Sequence, residues 1–235
     1  MSENNVVKTR STSQYSLKTW VALAMLTAVA FVVMLLSKML PSVNGFLDFD
    51  FKDVVICIAG FIYGPLAAAL VSIVVALIEM FTISHTGPIG LLMNILATCS
   101  FCCTATYVYK KRHTMWGAVL GLALGVVALV AVMLLWNYLI TPIYQGVPRE
   151  VVVTMLPTVF LPFNLLKGGL NTALTMLLYK PVVTALRRAG LVPPSSSSGE
   201  NSAAPSKKIS IGMMIVSLVI LVTCILLVLV MRGII

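Results

Sequence analysis

Apolar residues along this chain form long unbroken runs rather than alternating or recurring on one face. Six runs come first, at positions 17–40, 54–64, 65–83, 87–109, 115–140 and 152–179, and a seventh covers 209–231. A helix rises 1.5 Å per residue, so about 20 apolar residues cross a hydrocarbon core roughly 30 Å thick. A helix apolar on every side belongs in a deep core or in lipid. The pattern therefore predicts an all-α membrane protein, a six-helix bundle plus a seventh transmembrane helix. The second run is short, and only Tyr63-Gly64-Pro65 separates it from the third, a tight break rather than a loop. The first run is too long for a signal-peptide core and has no small-residue cleavage site behind it, so it is expected to be the first span.

Polar punctuation divides the chain into four parts. Residues 1–16 form a tail, 17–190 the six-helix domain, 191–208 a linker and 209–235 the additional helix. The linker, PPSSSSGENSAAPSKK from Pro193 to Lys208, cannot bury a core. Between the first two helices lies PSVNGFLDFDFKD at 41–53, whose alternating aromatics and acids predict a compact cap. Asp53 is the expected N-cap of the second helix.

Composition agrees: 60% of residues are hydrophobic and 10% charged, which excludes a soluble domain of this size. The net charge of +9 raises the question of a nucleic-acid partner. Its distribution answers no. Eleven of the sixteen Lys and Arg residues fall on one side of the membrane if the N-terminus is cytoplasmic; Lys38, Lys52, Arg149 and Arg232 fall on the other, with Lys167 inside. That is the positive-inside pattern of a multi-pass membrane protein, and it implies no nucleic acid. The five cysteines lie in apolar runs with no histidine at metal-ligand spacing, so no metal site is expected. Cys99 and Cys102 match CxxC, but within a span they read as packing residues.

One charge breaks the pattern. Lys167, in PFNLLKGGLN, lies about ten residues from either end of the sixth run, or about 15 Å deep. A lysine there costs at least about 2.5–3.5 kcal/mol, and intramembrane charges mark ligand or ion pathways. Asn164 and Asn171 lie three before and four after it, making a polar stripe on one helical face. The structural alternative is an ion pair between Lys167 and Glu79. Asn94, Asn137 and Tyr144 complete a second polar set with Glu79. Trp136 and Tyr138 fit an interfacial belt or ligand contact equally. A lysine donates, whereas an asparagine both donates and accepts in one plane. Such a set suits a flat heterocycle whose edge alternates carbonyls with an N–H, with Phe160, Phe163 and Leu165 available to hold an aromatic body. The uracil-like edge of a flavin has that pattern, though this chemistry alone does not single it out among vitamins.

These residues together resemble the riboflavin-binding S components of energy-coupling factor (ECF) transporters, over about 18–188. The resemblance rests on AMLTA from Ala24 to Ala28, FLDFDFKDV from Phe46, GFIYGPLAAAL from Gly60, the segment from Gly87 to Asn94, WNYLITPIY from Trp136 and PFNLLKGGLN from Pro162. It implies a non-enzymatic transporter subunit that captures riboflavin outside the cell as cargo, with no cofactor of its own. Asn137, Asn164 and Lys167 would then bond the isoalloxazine ring. Leu47, Asp48, Glu79, Asn94 and Asn171 would line or close the pocket beside them. Ala24 and Ala28 would face the transmembrane coupling protein, itself driven by two ATPase subunits, and the subunit would topple in the bilayer during transport. The chain has no GxxxxGK[ST] phosphate loop, so hydrolysis would lie on those subunits. The linker and seventh helix depart from the family pattern. Competing readings are an S component for another flat vitamin or nucleobase-like compound, an intramembrane thiol enzyme using Cys99 and Cys102, and a sensory membrane subunit. A hydrolase lacks its parts, since no HExxH, paired intramembrane carboxylates or Ser/His pair is present.

Overall fold

Every apolar run becomes helix in the computed structural model, which describes residues 16–39, 47–84, 86–192 and 211–231. Helix α1 covers Leu17–Ser37, α2 Lys52–Tyr63, α3 Pro65–Thr82, α4 Gly87–Lys111 and α5 Met115–Gln145. One long rod follows, built from α6 (Arg149–Met155), a π-helical turn (Leu156–Phe160) and α7 (Leu161–Arg188). The seventh run is α8, Ile211–Met231. Among the described residues there is no β-strand. Helices α1, α3, α4, α5 and the 149–188 rod are long and apolar enough to cross a membrane. All but Leu191 and Val192 of the expected linker and all but the last residue of the expected tail lie outside the described residues, as does Phe46.

Helix ends differ from expectation at two prolines. The sequence predicts breaks near Ile140 and Tyr179, yet α5 continues past Pro142 and α7 past Pro181. In a bilayer, neighbouring helices and hydroxyl side chains can satisfy the carbonyl that a proline frees, so the helix need not stop. Proline acts differently at Pro162, which has no N–H to return to the preceding turn. There the ladder widens, and the Leu161 N–H reaches back five residues to the Leu156 carbonyl. Gly64 makes the α2–α3 break with φ 97°, a conformation that only glycine adopts without strain, and Pro65 starts α3 at once.

Small residues set the packing distances. Gly117, Gly121 and Gly125 repeat every four residues on α5 and bring it against α4. A Cβ at Gly121 would lie 2.5 Å from the Ala105 carbonyl oxygen, and one at Gly125 would lie 2.7 Å from that of Phe101. Without a hydrophobic force between helices in lipid, such close approach supplies the association. Helices α2, α3, α4, α5 and α7 enclose a core containing Ile56, Val75, Phe101, Leu122 and Leu129. On α1, Leu23, Leu26, Ala30 and Met34 turn inward, while Ala24 and Ala28 are exposed on the outer face.

Helix α2 has only 12 residues, or about 18 Å, too few to cross the bilayer alone. Residues 47–51 make up the missing depth. This non-helical segment descends into one end of the bundle, here the capped end, where Phe49 and Asp50 are each buried to 7% exposure. Irregular backbone at that depth must find partners within the protein. The Phe51 N–H donates to Ser37 Oγ (3.1 Å), the Lys52 N–H to Asp50 Oδ1 (3.0 Å), and Asn171 Nδ2 to the Asp50 carbonyl (3.1 Å). Asp53 is not the N-cap of α2. Phe51 holds that position, and Asp53, fully buried, accepts from Thr98 Oγ1 at 2.7 Å.

Replacing Gly121 by valine should force α4 and α5 apart at a backbone carbonyl, costing about 1–3 kcal/mol as overpacking does. A thermal melt in detergent should show a lower midpoint than for Ala123→Val, which adds the same branched side chain on the exposed face of α5.

Candidate functional site

The capped end holds a chamber of about 100 Å3 bounded by α1, the 47–51 segment, α3, α4, α5 and α7. Its polar wall comprises Ser37, Lys38, Asp48, Asp50, Glu79, Thr86, Asn94, Asn137, Asn164 and Lys167. Leu47, Phe49, Met34, Met93, Met133 and Phe163 supply apolar surface. The chamber adjoins an outer vestibule of about 590 Å3, with which it shares Lys38, Leu47, Asp48, Thr86, Met93 and Asn137. Trp136, Ile140, Thr141 and Tyr144 line the vestibule. Tyr138, by contrast, faces Arg149, whose guanidinium lies 5.3 Å from the ring centroid.

Seven of the eight residues expected at a ligand site therefore meet here: Leu47, Asp48, Glu79, Asn94, Asn137, Asn164 and Lys167. Asn171 does not line the chamber. It is buried behind the cap, where it holds the Asp50 carbonyl and lies 3.5 Å from Asp53 Oδ2. The asparagines of the wall are tethered by their own helices. Asn137 Nδ2 donates to the Met133 carbonyl (2.7 Å), while its Oδ1 accepts from Thr141 (2.9 Å). Asn164 Nδ2 donates to the carbonyl of Phe160, the last residue of the π turn, at 2.8 Å. Each amide keeps hydrogen-bonding capacity for the chamber.

Beneath the chamber runs a network of charges that the sequence does not disclose. Lys52 was expected among the cations outside the spans, yet it is fully buried, 1% exposed. Its ammonium pairs with Asp50 and, at 3.1 Å, with Glu79 Oε2. Glu79 also receives Lys38 at 3.1 Å and Asn94 Nδ2 at 2.9 Å. Lys38 reaches on to Asp48 of the cap at 3.6 Å. The partners of Glu79 are thus Lys38 and Lys52, not Lys167.

Alternation explains how one short segment serves both purposes. Asp48, Asp50 and Lys52 enter the ion network, while Leu47, Phe49 and Phe51 join an apolar cluster with α7 and α8. Phe49 stacks at a tilt on Phe163, with centroids 5.0 Å apart. A period of two reads as extended chain, and here it sorts polar from apolar around the cap.

The model of the family "ECF transporter, substrate-specific component" matches residues 18–179. The chain belongs to this family. Relatives of this S component include the riboflavin transporter FmnP of Bacillus subtilis, 32% identical over 184 residues, covering 73% of the chain and 97% of the relative. The riboflavin transporter RibU of Staphylococcus aureus is 29% identical over 178 residues, covering 73% and 93% respectively. A solved structure titled as the S component of a bacterial ECF transporter superposes with a TM-score of 0.62 at 29% identity, over 73% of the chain and 98% of that structure. Helix α8 lies beyond the stretch that the family description matches.

Changing Lys52 to Met should leave Asp50 and Glu79 buried without their shared cation, a loss of about 3–5 kcal/mol. The single variant should give little folded protein on size exclusion in detergent. Adding Asp50→Asn and Glu79→Gln to it should recover part of the yield, since the carboxylates then no longer need a counter-charge.

Proposed function

We propose that this S component captures riboflavin in the chamber at its capped end and hands it to an ATP-driven transporter. The observation that carries the reading is the convergence of Asn137, Asn164 and Lys167, from two helices, on one cavity wall. Two amides and an ammonium present the donors and acceptors that the pyrimidine edge of an isoalloxazine requires. The relatives named riboflavin transporters support the same cargo. Three methionines and Phe163 offer adaptable apolar surface to the fused rings, because the thioether side chain is flexible and polarizable. The chamber alone falls short of the roughly 300–1,000 Å3 typical of ligand sites, so the ligand extends into the vestibule. The ring enters first, and the ribityl hydroxyls meet Asp48, Thr86 and Thr141 nearer the mouth.

Orientation follows from the positive-inside pattern. With the N-terminus in the cytoplasm of a bacterial cell, the capped end faces outward, as capture requires. Energy comes from outside the chain. A membrane coupling protein docks against the exposed Ala24 and Ala28 of α1, where small side chains permit close helix contact, and two ATPase subunits drive it. The chain functions as a transport subunit, not an enzyme.

Detergent-purified protein should quench riboflavin fluorescence on titration, and its absorbance should reveal any flavin carried through purification. Lys167→Met should abolish tight quenching. Asn137→Ala or Asn164→Ala should each weaken it by about 1–3 kcal/mol, roughly 5- to 150-fold in Kd. No quenching by the parent protein would overturn the riboflavin assignment and direct the search to other flat vitamins.

A further inference from the structure

Helix α8 is more than an apolar rod beside the bundle. It packs along α7, and at one point a side chain of α8 seats directly on a glycine: a Cβ at Gly169 would lie 3.0 Å from Cys224 Sγ. The adjoining Gly168 faces α5 instead, where a Cβ would lie 3.0 Å from Val126. The glycine pair next to Lys167 thus lets α7 be gripped from both sides. Seven residues before Cys224, on the same face of α8, Ser217 is 1% exposed. Around this contact, Phe163, Leu166, Leu170 and Cys224 form one buried cluster with Phe49 of the cap. Leu47 and Phe51 of the cap and Ile220, Leu221 and Val228 of α8 pack against it. Within the same turns of α7, Asn164 and Lys167 line the chamber. A helix that served only as an anchor would need no small-residue seat, because lipid holds any apolar helix equally well.

We propose that α8 is a positioning element of the ligand site. From the lipid side it braces both the turn of α7 that presents Asn164 and Lys167 and the apolar side of the 47–51 cap. The cap then opens less often, and bound ligand stays longer. The proposal rests on the reading that flavin is the cargo, but its mechanical part does not. Ligand capture persists without α8; what changes is the rate of release.

The test compares the full chain with a truncation ending at Val192 and with full-length Gly169→Val, which wedges α8 away. Hydrogen exchange of the peptide spanning 47–51, measured without ligand, should quicken in both variants. Riboflavin release, followed by recovery of flavin fluorescence, should accelerate about tenfold with little change in the association rate. Adding Cys224→Ala to Gly169→Val should restore much of the parent behaviour, because it removes the atom that the valine meets. Parent-like exchange and release in both variants would overturn the proposal, as would a Gly169→Val defect that Cys224→Ala leaves intact. If the parent itself fails to quench riboflavin, the cargo assignment falls, and the exchange comparison still decides the role of α8.

Discussion

The buried ammonium of Lys52 is the constraint on which the capped end depends. Helix α2 is too short to reach across a bilayer, so irregular chain fills the remaining depth, and that chain carries acids. Asp48 and Asp50 of the cap, Lys38 at the end of α1, Glu79 on α3 and Asn94 on α4 are joined through ion pairs and hydrogen bonds centred on Lys52 and Glu79. Desolvating so many charges is expensive, and pairing at best returns what was lost. The network is therefore better understood as a fixture of arrangement than as a source of stability. It holds four helices and a loop in register around a chamber whose walls must be polar.

That register lets the chamber present fixed groups. Asn137 and Asn164 each bond a carbonyl of their own helix, so their amides are held in one orientation before any ligand arrives. Less side-chain freedom is then lost on binding. The π turn contributes as well. Pro162 disturbs the ladder two residues before Asn164, and the Asn164 side chain takes the Phe160 carbonyl at the end of that disturbance. A local irregularity in the helix thus becomes the support of a residue in the site.

The sequence disclosed the helices, the family likeness and the polar wall with little ambiguity, for one physical reason. A charge or amide in the middle of an apolar run has few innocent explanations, and Asn164 and Lys167 stood in such places, whereas Asn137, near the end of its run, was marked by the family likeness. Lys52 did not. It lies at the edge of a run beside two acids, where a lysine normally meets water, and its burial follows from the descent of 47–51 into the bundle. Glu79 was visible as an anomaly, but its partners come from α2, α4 and the end of α1, and one sequence does not say which helices are neighbours. Asn171 shares a helical face with Asn164, yet seven residues of rise, about 10.5 Å, carry it below the chamber floor. Periodicity reports direction around a helix and is silent about depth. Likewise α8 was legible as an apolar run, whereas its seat on Gly169 depends on the pairing of two helices separated by a linker.

The α2–α3 hairpin has a mechanical consequence. At one end Gly64 joins the helices with no intervening slack, and at the other Lys52 and Glu79 clamp them together. Two rods fastened at both ends behave as a single plate. Such a plate can rock or shift as a whole, but its members cannot shear past each other without breaking an ion pair in a medium that offers no replacement. Displacing α2 at the capped end would therefore carry α3 with it.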